Sequence, residues 1–321
     1  MSTFRLPFFR ELKSAQRVLV AGAGGGFDVF SGLPIYFNLR AAGKEVFLAN
    51  LTFSNLWGPH IGRSIAPALV EITADSQGSE SYFPEKHLSA WFRQHGREVP
   101  IYAFHRTGPK PIIEAYRALI AELKIDTVIL VDGGTDSLMR GDEIGLGTPE
   151  EDMTSIAAVH ALDAKLVPHR MLACLGFGID TFHGVCHAHV LEAIAELARA
   201  GGYLGAFSLL PEIPEVAKFI DATEYVLKQT PSRVSIVCSS ILSALEGRFG
   251  DFHRTERTFG SQLFINPLMS MYWCFSLDHV ARRVKYLEGM REIEGYRDLS
   301  LYIGKFRAEN GTTREWKDLP M

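Results

Sequence analysis

Residues 127–143 read TVILVDGGTDSLMRGDE. Thr127 to Val131 form an unbroken apolar, β-branched run, the pattern of a strand covered on both faces. Gly133 and Gly134 end the run, and Asp132, Asp136, Asp142 and Glu143 crowd the exit. A buried strand that leaves through glycines toward a helix is the repeating unit of an α/β sheet. Ligands of such sheets bind beyond the carboxyl ends of the strands, where these acids stand.

Outward from this stretch, strand and helix patterns alternate. Strands are expected at residues 17–21, 45–50, 68–73, 100–105, 171–175, 203–207 and 233–238. Helices are expected from the glycine turn to about residue 42, at 111–123, at 149–161, at 183–200, at 214–228 and in a helical region around 269–290. In the segment 111–123, Ile112, Ala115, Leu119 and Leu123 recur at helical spacing. The fold class that follows is α/β, a Rossmann-like three-layer sandwich with a mainly parallel sheet. The 321 residues are read as a single α/β domain, with residues 51–98 a flap or insertion that contains the polar stretch ADSQGSESY.

Composition narrows the partners. The chain is 47% hydrophobic and carries a net charge of -4, with its Lys and Arg dispersed, so no nucleic acid and no membrane surface is expected as a partner. No apolar run approaches the roughly 18 residues of a membrane span, and the amino-terminal MSTFRLPFFRELKSAQR does not read as a signal peptide. Cys174, Cys186, Cys238 and Cys274 are far apart in sequence, which fits reduced thiols and a cytoplasmic location.

Three strand exits share one pattern, G-x-D-x-[FL]: Gly26 to Phe30, Gly134 to Leu138 and Gly178 to Phe182. Glycine allows a close approach, and aspartate at a helix start can cap it. Capping explains each aspartate singly. If the three strands are neighbours, however, Asp28, Asp136 and Asp180 converge, and their mutual repulsion calls for a divalent metal, sugar hydroxyls or a protonated partner.

The first exit, Gly22-Ala23-Gly24-Gly25-Gly26, partly matches the dinucleotide fingerprint, but its third glycine position falls on Phe27. The second strand ends in Asn50, where the acid for an adenine ribose is expected. NAD(P) is therefore a weaker expectation than a ligand held by the backbone N–H groups of Gly22, Gly24, Gly25 and Gly26, with Gly133 and Gly134 adding the second exit. Asp28 disfavours a bare phosphate there unless a metal intervenes.

Thr148, Pro149 and Glu151 match N-cap, first-turn proline and capping-box positions, so Glu150 and Glu151 are read as structural. Arg140, Asp142 and Glu143 have no such local role. His183, Cys186 and His187 would share a face if a helix starts near Asp180, a spacing that suits a transition metal. The alternative is that His183 alone faces the crevice as an acid–base partner of Asp180. Asp251, His253 and Arg254 form a further polar group. The aromatic run from Asn266 to Phe275 suits either core or a homo-oligomer contact through the carboxyl-terminal third. Neither a serine-hydrolase elbow nor a P-loop occurs.

The stretches AGAGGGFDVFSGLP, VDGGTDSLMRGDE, GLGTPEEDM and GRFGDFH together make the chain resemble the prokaryotic domain-of-unknown-function family 1152. The resemblance implies an α/β fold and carries over no reaction and no site residue. From the residues themselves, the expected function is a hydrolase or group transferase acting on a small polar metabolite with a phosphate, ribosyl or sugar group. Asp28, Asp136 and Asp180 would bind hydroxyls or a divalent cation, and His183 or Asp142 would move the proton. A dinucleotide-dependent oxidoreductase and a non-catalytic metabolite-sensing protein are the alternatives.

Overall fold

The computed structural model describes residues 5–78, 81–261, 263–310 and 313–319. Its strands are β1 (Arg17–Gly22), β2 (Glu45–Leu51), β3 (Arg63–Ala66), β4 (Leu69–Ile72), β5 (Ile101–Phe104), β6 (Thr127–Asp132), β7 (His169–Leu175), β8 (Tyr203–Ser208), β9 (Gly250–Asp251), β10 (Phe264–Ile265) and β11 (Met271–Ser276). Its helices are α1 (Pro7–Glu11), α2 (Asp28–Ser31), α3 (Leu33–Ala41), α4 (Pro84–Gln94), α5 (Pro109–Leu123), α6 (Pro149–His160), α7 (His187–Arg199), α8 (Pro214–Gln229), α9 (Ile236–Leu245), α10 (Leu277–Arg283), α11 (Leu287–Met290) and α12 (Tyr296–Glu309).

Nine strands form one sheet in the order β3-β4-β5-β2-β1-β6-β7-β11-β8. The central five, β5-β2-β1-β6-β7, pair in parallel, while β4 and β11 run antiparallel to the neighbours they flank. Alternate residues of β1 enter opposite layers. Leu19 and Ala21 pack with α5 and α6 residues such as Ile112 and Ile156, whereas Val18 and Val20 pack with Leu33, Phe92 and Phe219 from the other face. Helices cover both faces, which gives a Rossmann-like three-layer sandwich and explains why β1 and β6 are apolar almost throughout. No helix among the described residues is long and apolar enough to cross a membrane.

Several local expectations change. RVSIVC is not a strand. Ser235 accepts a hydrogen bond from the Cys238 N–H and caps α9, and Cys238, Ile241 and Leu242 then bury one helical face. The region 269–290 is not helical throughout. Met271–Ser276 inserts between β7 and β8, with Tyr272 and Cys274 in one layer and Phe275 in the other. The aromatic run is therefore largely core of this chain. The first helix divides at Gly32, and the helix expected at 183–200 starts only at His187, after a 3-10 turn (Ile179–His183) and Gly184 at φ +82°. Residues 51–98 extend the sheet through the β3–β4 hairpin and supply α4; Ser79 and Glu80 of the polar stretch lie outside the described residues.

Gly32 marks where the α2–α3 junction lies against β1, since a Cβ there would sit 2.6 Å from Val20 Cγ1. Gly32→Ala is expected to lower the urea midpoint, with a loss of about 1–3 kcal/mol typical of overpacking. An unchanged midpoint would show that the junction yields freely.

Candidate metal centre and crevice

The register sets the exits of three parallel strands side by side. Gly22 of β1 lies opposite Val131 of β6, and Asp132 of β6 lies opposite Cys174 of β7. The Ala23 N–H donates to the Val131 carbonyl at 2.9 Å, which extends the pairing into the glycine turn. The three turns therefore meet, and the structure brings Asp28, Asp136 and Asp180 into one buried group together with Asp132 and Asp152.

None of the three exit aspartates caps the helix it precedes. Asp28 reaches back and accepts from the Gly24 N–H at 2.6 Å. Asp180 crosses to the second exit and accepts from the Thr135 N–H at 2.6 Å. Asp136 accepts from the N–H of Thr148 at 2.7 Å and from its hydroxyl at 3.0 Å. Each glycine makes room for a carboxylate. A Cβ on Gly24 would lie 2.8 Å from Asp152 Oδ1 and 2.9 Å from Asp28 Oδ2, one on Gly133 2.7 Å from Asp28 Oδ1, and one on Gly134 2.5 Å from Asp180 Oδ2. The glycines thus serve the acids. The Gly24 N–H is engaged by Asp28 and does not face a ligand, while Gly25 and Gly26, at φ +90° and +63°, line the adjoining crevice.

Asp28, Asp132 and Asp152 each offer a carboxylate oxygen, and these atoms lie within 4.8 Å of one another. Asp132 is hydrogen-bonded to Ser137, and Asp152 Oδ2 lies 3.1 Å from the Thr148 hydroxyl, whose single hydrogen it shares with Asp136. Asp152 Oδ1, however, is buried without a hydrogen-bond partner among the described residues. Oxygen donors in this arrangement suit a hard divalent cation such as Mg²⁺, Mn²⁺ or Ca²⁺. Asp136 and Asp180, satisfied by backbone and threonine donors, surround this trio.

Electrostatics follow from the crowding. Burial pushes the Asp28 carboxyl up to about 8, helped by the charges of Asp136 and Glu151 and opposed by hydrogen bonds from Gly24 and Gly133. Burial, then the neighbouring carboxylates, pushes Asp132, Asp152 and Asp180 well above the usual range. Glu151, assigned from sequence to capping, instead accepts from the Tyr296 hydroxyl at 2.8 Å beside this group, and burial raises its carboxyl too.

A crevice of about 420 Å³ opens above Asp28. Gly25 and Gly26 line it together with Phe53, Tyr82, His183, Arg233 and Arg257. His183 is exposed at its rim and acts electrostatically on Asp136. Arg233 and Arg257 form no ion pair among the described residues, although Arg257 also donates to the Val234 carbonyl at 2.6 Å. Arg257 comes from the segment around Asp251, but Asp251, His253 and Arg254 are engaged elsewhere. His253 pairs with Asp251 at 3.0 Å, and Arg254 pairs with Glu224 at 2.9 Å.

Asp142 is not brought to the trio. It pairs with Arg140 and Arg314, each at 3.0 Å, and with Lys285. Burial acts to raise it, but hydrogen bonds from Arg140 and Lys285 and the charge of Arg314 hold it well below the usual carboxylate range, which makes it a poor base. Arg314 also bonds the buried Glu143 at 2.8 Å and Glu192 at 2.5 Å, so the segment around residue 314 straps the acidic loop to α7. His183, Cys186 and His187 do not form a metal face, because the turn at Gly184 separates them. Cys186 Sγ contacts the Lys317 backbone, and His187 Nε2 lies 3.1 Å from the Thr181 hydroxyl.

Between its ordinary 3.8 and about 8, Asp28 holds a proton in the folded chain that the unfolded chain has lost. The folded state therefore binds more protons in this window, and this contribution to stability falls as pH rises through it. Without divalent ions, the thermal midpoint is expected to fall between pH 5 and pH 8 through this effect. Added Mn²⁺ should raise the midpoint, and more strongly at pH 8 than at pH 5, because cation binding displaces protons. A cation effect equal at both pH values would count against a protonated carboxylate site.

No curated protein matches the chain. The pattern of one protein family of unknown function, DUF1152, matches residues 64–301, a stretch that includes Asp132, Asp136, Asp152 and Asp180 and begins after the glycine turn. The match spans well over half of the 321 residues, and the chain belongs to that family.

Proposed function

We propose that this protein is a divalent-cation-dependent enzyme that hydrolyses or transfers a phosphoryl group of a small metabolite. The observation that carries the reading is Asp152 Oδ1, a buried oxygen with no hydrogen-bond partner among the described residues, on a carboxylate that offers an oxygen within 4.8 Å of oxygens of Asp28 and Asp132. Clustered carboxylates repel one another when ionised, and a cation removes both the repulsion and the missing contact. Asp28 links this buried trio to the crevice, since it is also one of the residues that line the cavity.

The crevice supplies the complementary charge. Arg233 and Arg257 face it without acidic partners among the described residues, which favours an anionic substrate group such as phosphate. A cation held by Asp28, Asp132 and Asp152 would polarise a phosphoryl oxygen and help ionise the attacking water or hydroxyl. The attacking oxygen bonds to phosphorus while the bond from phosphorus to the leaving oxygen breaks. His183 at the rim accepts the attacker's proton, and the arginines offset charge on the non-bridging oxygens. Hydride transfer to a dinucleotide receives less support. Asn50, at the end of β2, is engaged with the Gly26 carbonyl and Glu85, each at 2.8 Å, and offers no carboxylate for a ribose.

Calorimetric titration with Mn²⁺ tests the cation site, and phosphate release from a panel of phosphorylated metabolites tests the reaction. Wild-type protein is expected to bind Mn²⁺ and to release phosphate only when the ion is present. Asp152→Asn should bind Mn²⁺ at least roughly tenfold more weakly, the scale of loss when a metal-site group is altered. Wild-type protein that binds no Mn²⁺, or an Asp152→Asn variant with unchanged affinity, would overturn the cation site. Binding of a phosphorylated compound without turnover would point to a sensor.

A further inference from the structure

We infer that the substrate is a nucleoside phosphate, its base seated against Phe53 while its phosphate lies between Arg233, Arg257 and the carboxylate trio. This rests on the phosphoryl-transfer reading and names the class of molecule that the crevice takes. The inference comes from aromatic surface that phosphate recognition alone does not require.

Phe53 follows the exit of β2 and lies over the glycine turn. A Cβ on Gly25 would come within 2.8 Å of its ring, and one on Gly26 within 3.2 Å. Despite these contacts, Phe53 keeps 42% of its surface exposed while lining the crevice. Tyr82 stands on the same wall, almost fully buried. Its hydroxyl would be 3.3 Å from a Cβ on Gly26, and its ring packs edge-on against Phe27. Two cations rest against these rings: Arg106 lies 5.4 Å from the Phe53 centroid, and Arg233 lies 5.6 Å from the Tyr82 centroid.

The crevice therefore combines an exposed aromatic ring and two arginines with an acidic floor at Asp28. Inorganic phosphate or a sugar phosphate would use the cations and the floor but leave the exposed ring of Phe53 in water. A purine or pyrimidine has a π-face for that ring, and base–aromatic stacking tolerates different bases. At about 420 Å³ the crevice falls within the range of about 300–1,000 Å³ common for small-molecule sites, so a base, a pentose and a phosphate fit together. The glycines contribute by what they lack: at Gly25 and Gly26, side chains would occupy the space in which the Phe53 ring lies.

The test measures binding of ADP, ribose 5-phosphate and inorganic phosphate to the full chain by calorimetry in the presence of Mn²⁺. Wild-type protein is expected to bind ADP about tenfold or more tightly than ribose 5-phosphate. Phe53→Ala should abolish that preference and leave ribose 5-phosphate affinity unchanged. Phe53→Trp, which retains a ring, should keep the preference. Arg233→Ala should weaken ADP and ribose 5-phosphate by a similar factor. Equal wild-type affinity for ADP and ribose 5-phosphate, or a preference that survives in Phe53→Ala, would overturn the inference. Mn²⁺ titrated alone separates the two readings. If Mn²⁺ binds without a nucleotide preference, the base site fails and the cation site stands. If ADP is preferred but Mn²⁺ does not bind, the cation site fails and the base site stands.

Discussion

The hydrogen bond from the Gly24 N–H to Asp28, at 2.6 Å, folds the first exit back on itself and turns a carboxylate toward the second exit. From there Asp28 comes up against Gly133, whose missing side chain leaves the room it needs. Asp180 makes the corresponding move into the Thr135 N–H beside Gly134, and Asp136 into Thr148. Each acid is thus anchored by an exit or loop other than the helix it begins, or by the turn behind it. The three turns hold one another through carboxylates, and the charge gathered there is what any ligand must balance. The mostly parallel central strands make this possible, because only parallel neighbours deliver several strand exits to the same edge.

Much of this arrangement was legible in sequence. The repeated G-x-D-x-[FL] exits identified Asp28, Asp136 and Asp180, and the strand–helix alternation placed them on one edge. Asp152 was harder to see. It lies among the first-turn acids Glu150 and Glu151, where the helix dipole offers a sufficient explanation. Its angular position gives no signal either, because every residue of α6 from Glu151 to Val159 is buried and the helix has no single inward stripe. Phe53, Tyr82, Arg233 and Arg257 carry no local motif. They come from four separate segments, and only the tertiary fold gathers them around the glycine turn.

The misread segments have a common cause. RVSIVC and the MYWCFS run are short and mostly apolar, and six residues are too few for the pattern to separate period 2 from period 3.6. In the first, one hydroxyl decides the matter, because Ser235 caps α9. In the second, position in the sheet decides it, because Met271–Ser276 fills the space between β7 and β8 and pairs with both. At His183 to His187, Gly184 breaks the helix that the histidine spacing invited and leaves His183 alone at the crevice.

The insertion of β11 also sets an order of construction. β8 takes its place in the sheet through β11, which is made more than sixty residues later, so β7 keeps an unpaired edge while the intervening chain is synthesised. The strap at Arg314 comes later still, and until it exists the buried Glu143 lacks that cation. The half of the sheet around β1, β2 and β5 has all of its strands within the first 104 residues. As the chain emerges during translation, it can therefore form one wall of the crevice early, while the acidic loop after β6, away from the crevice, acquires its fixed shape among the last contacts of folding.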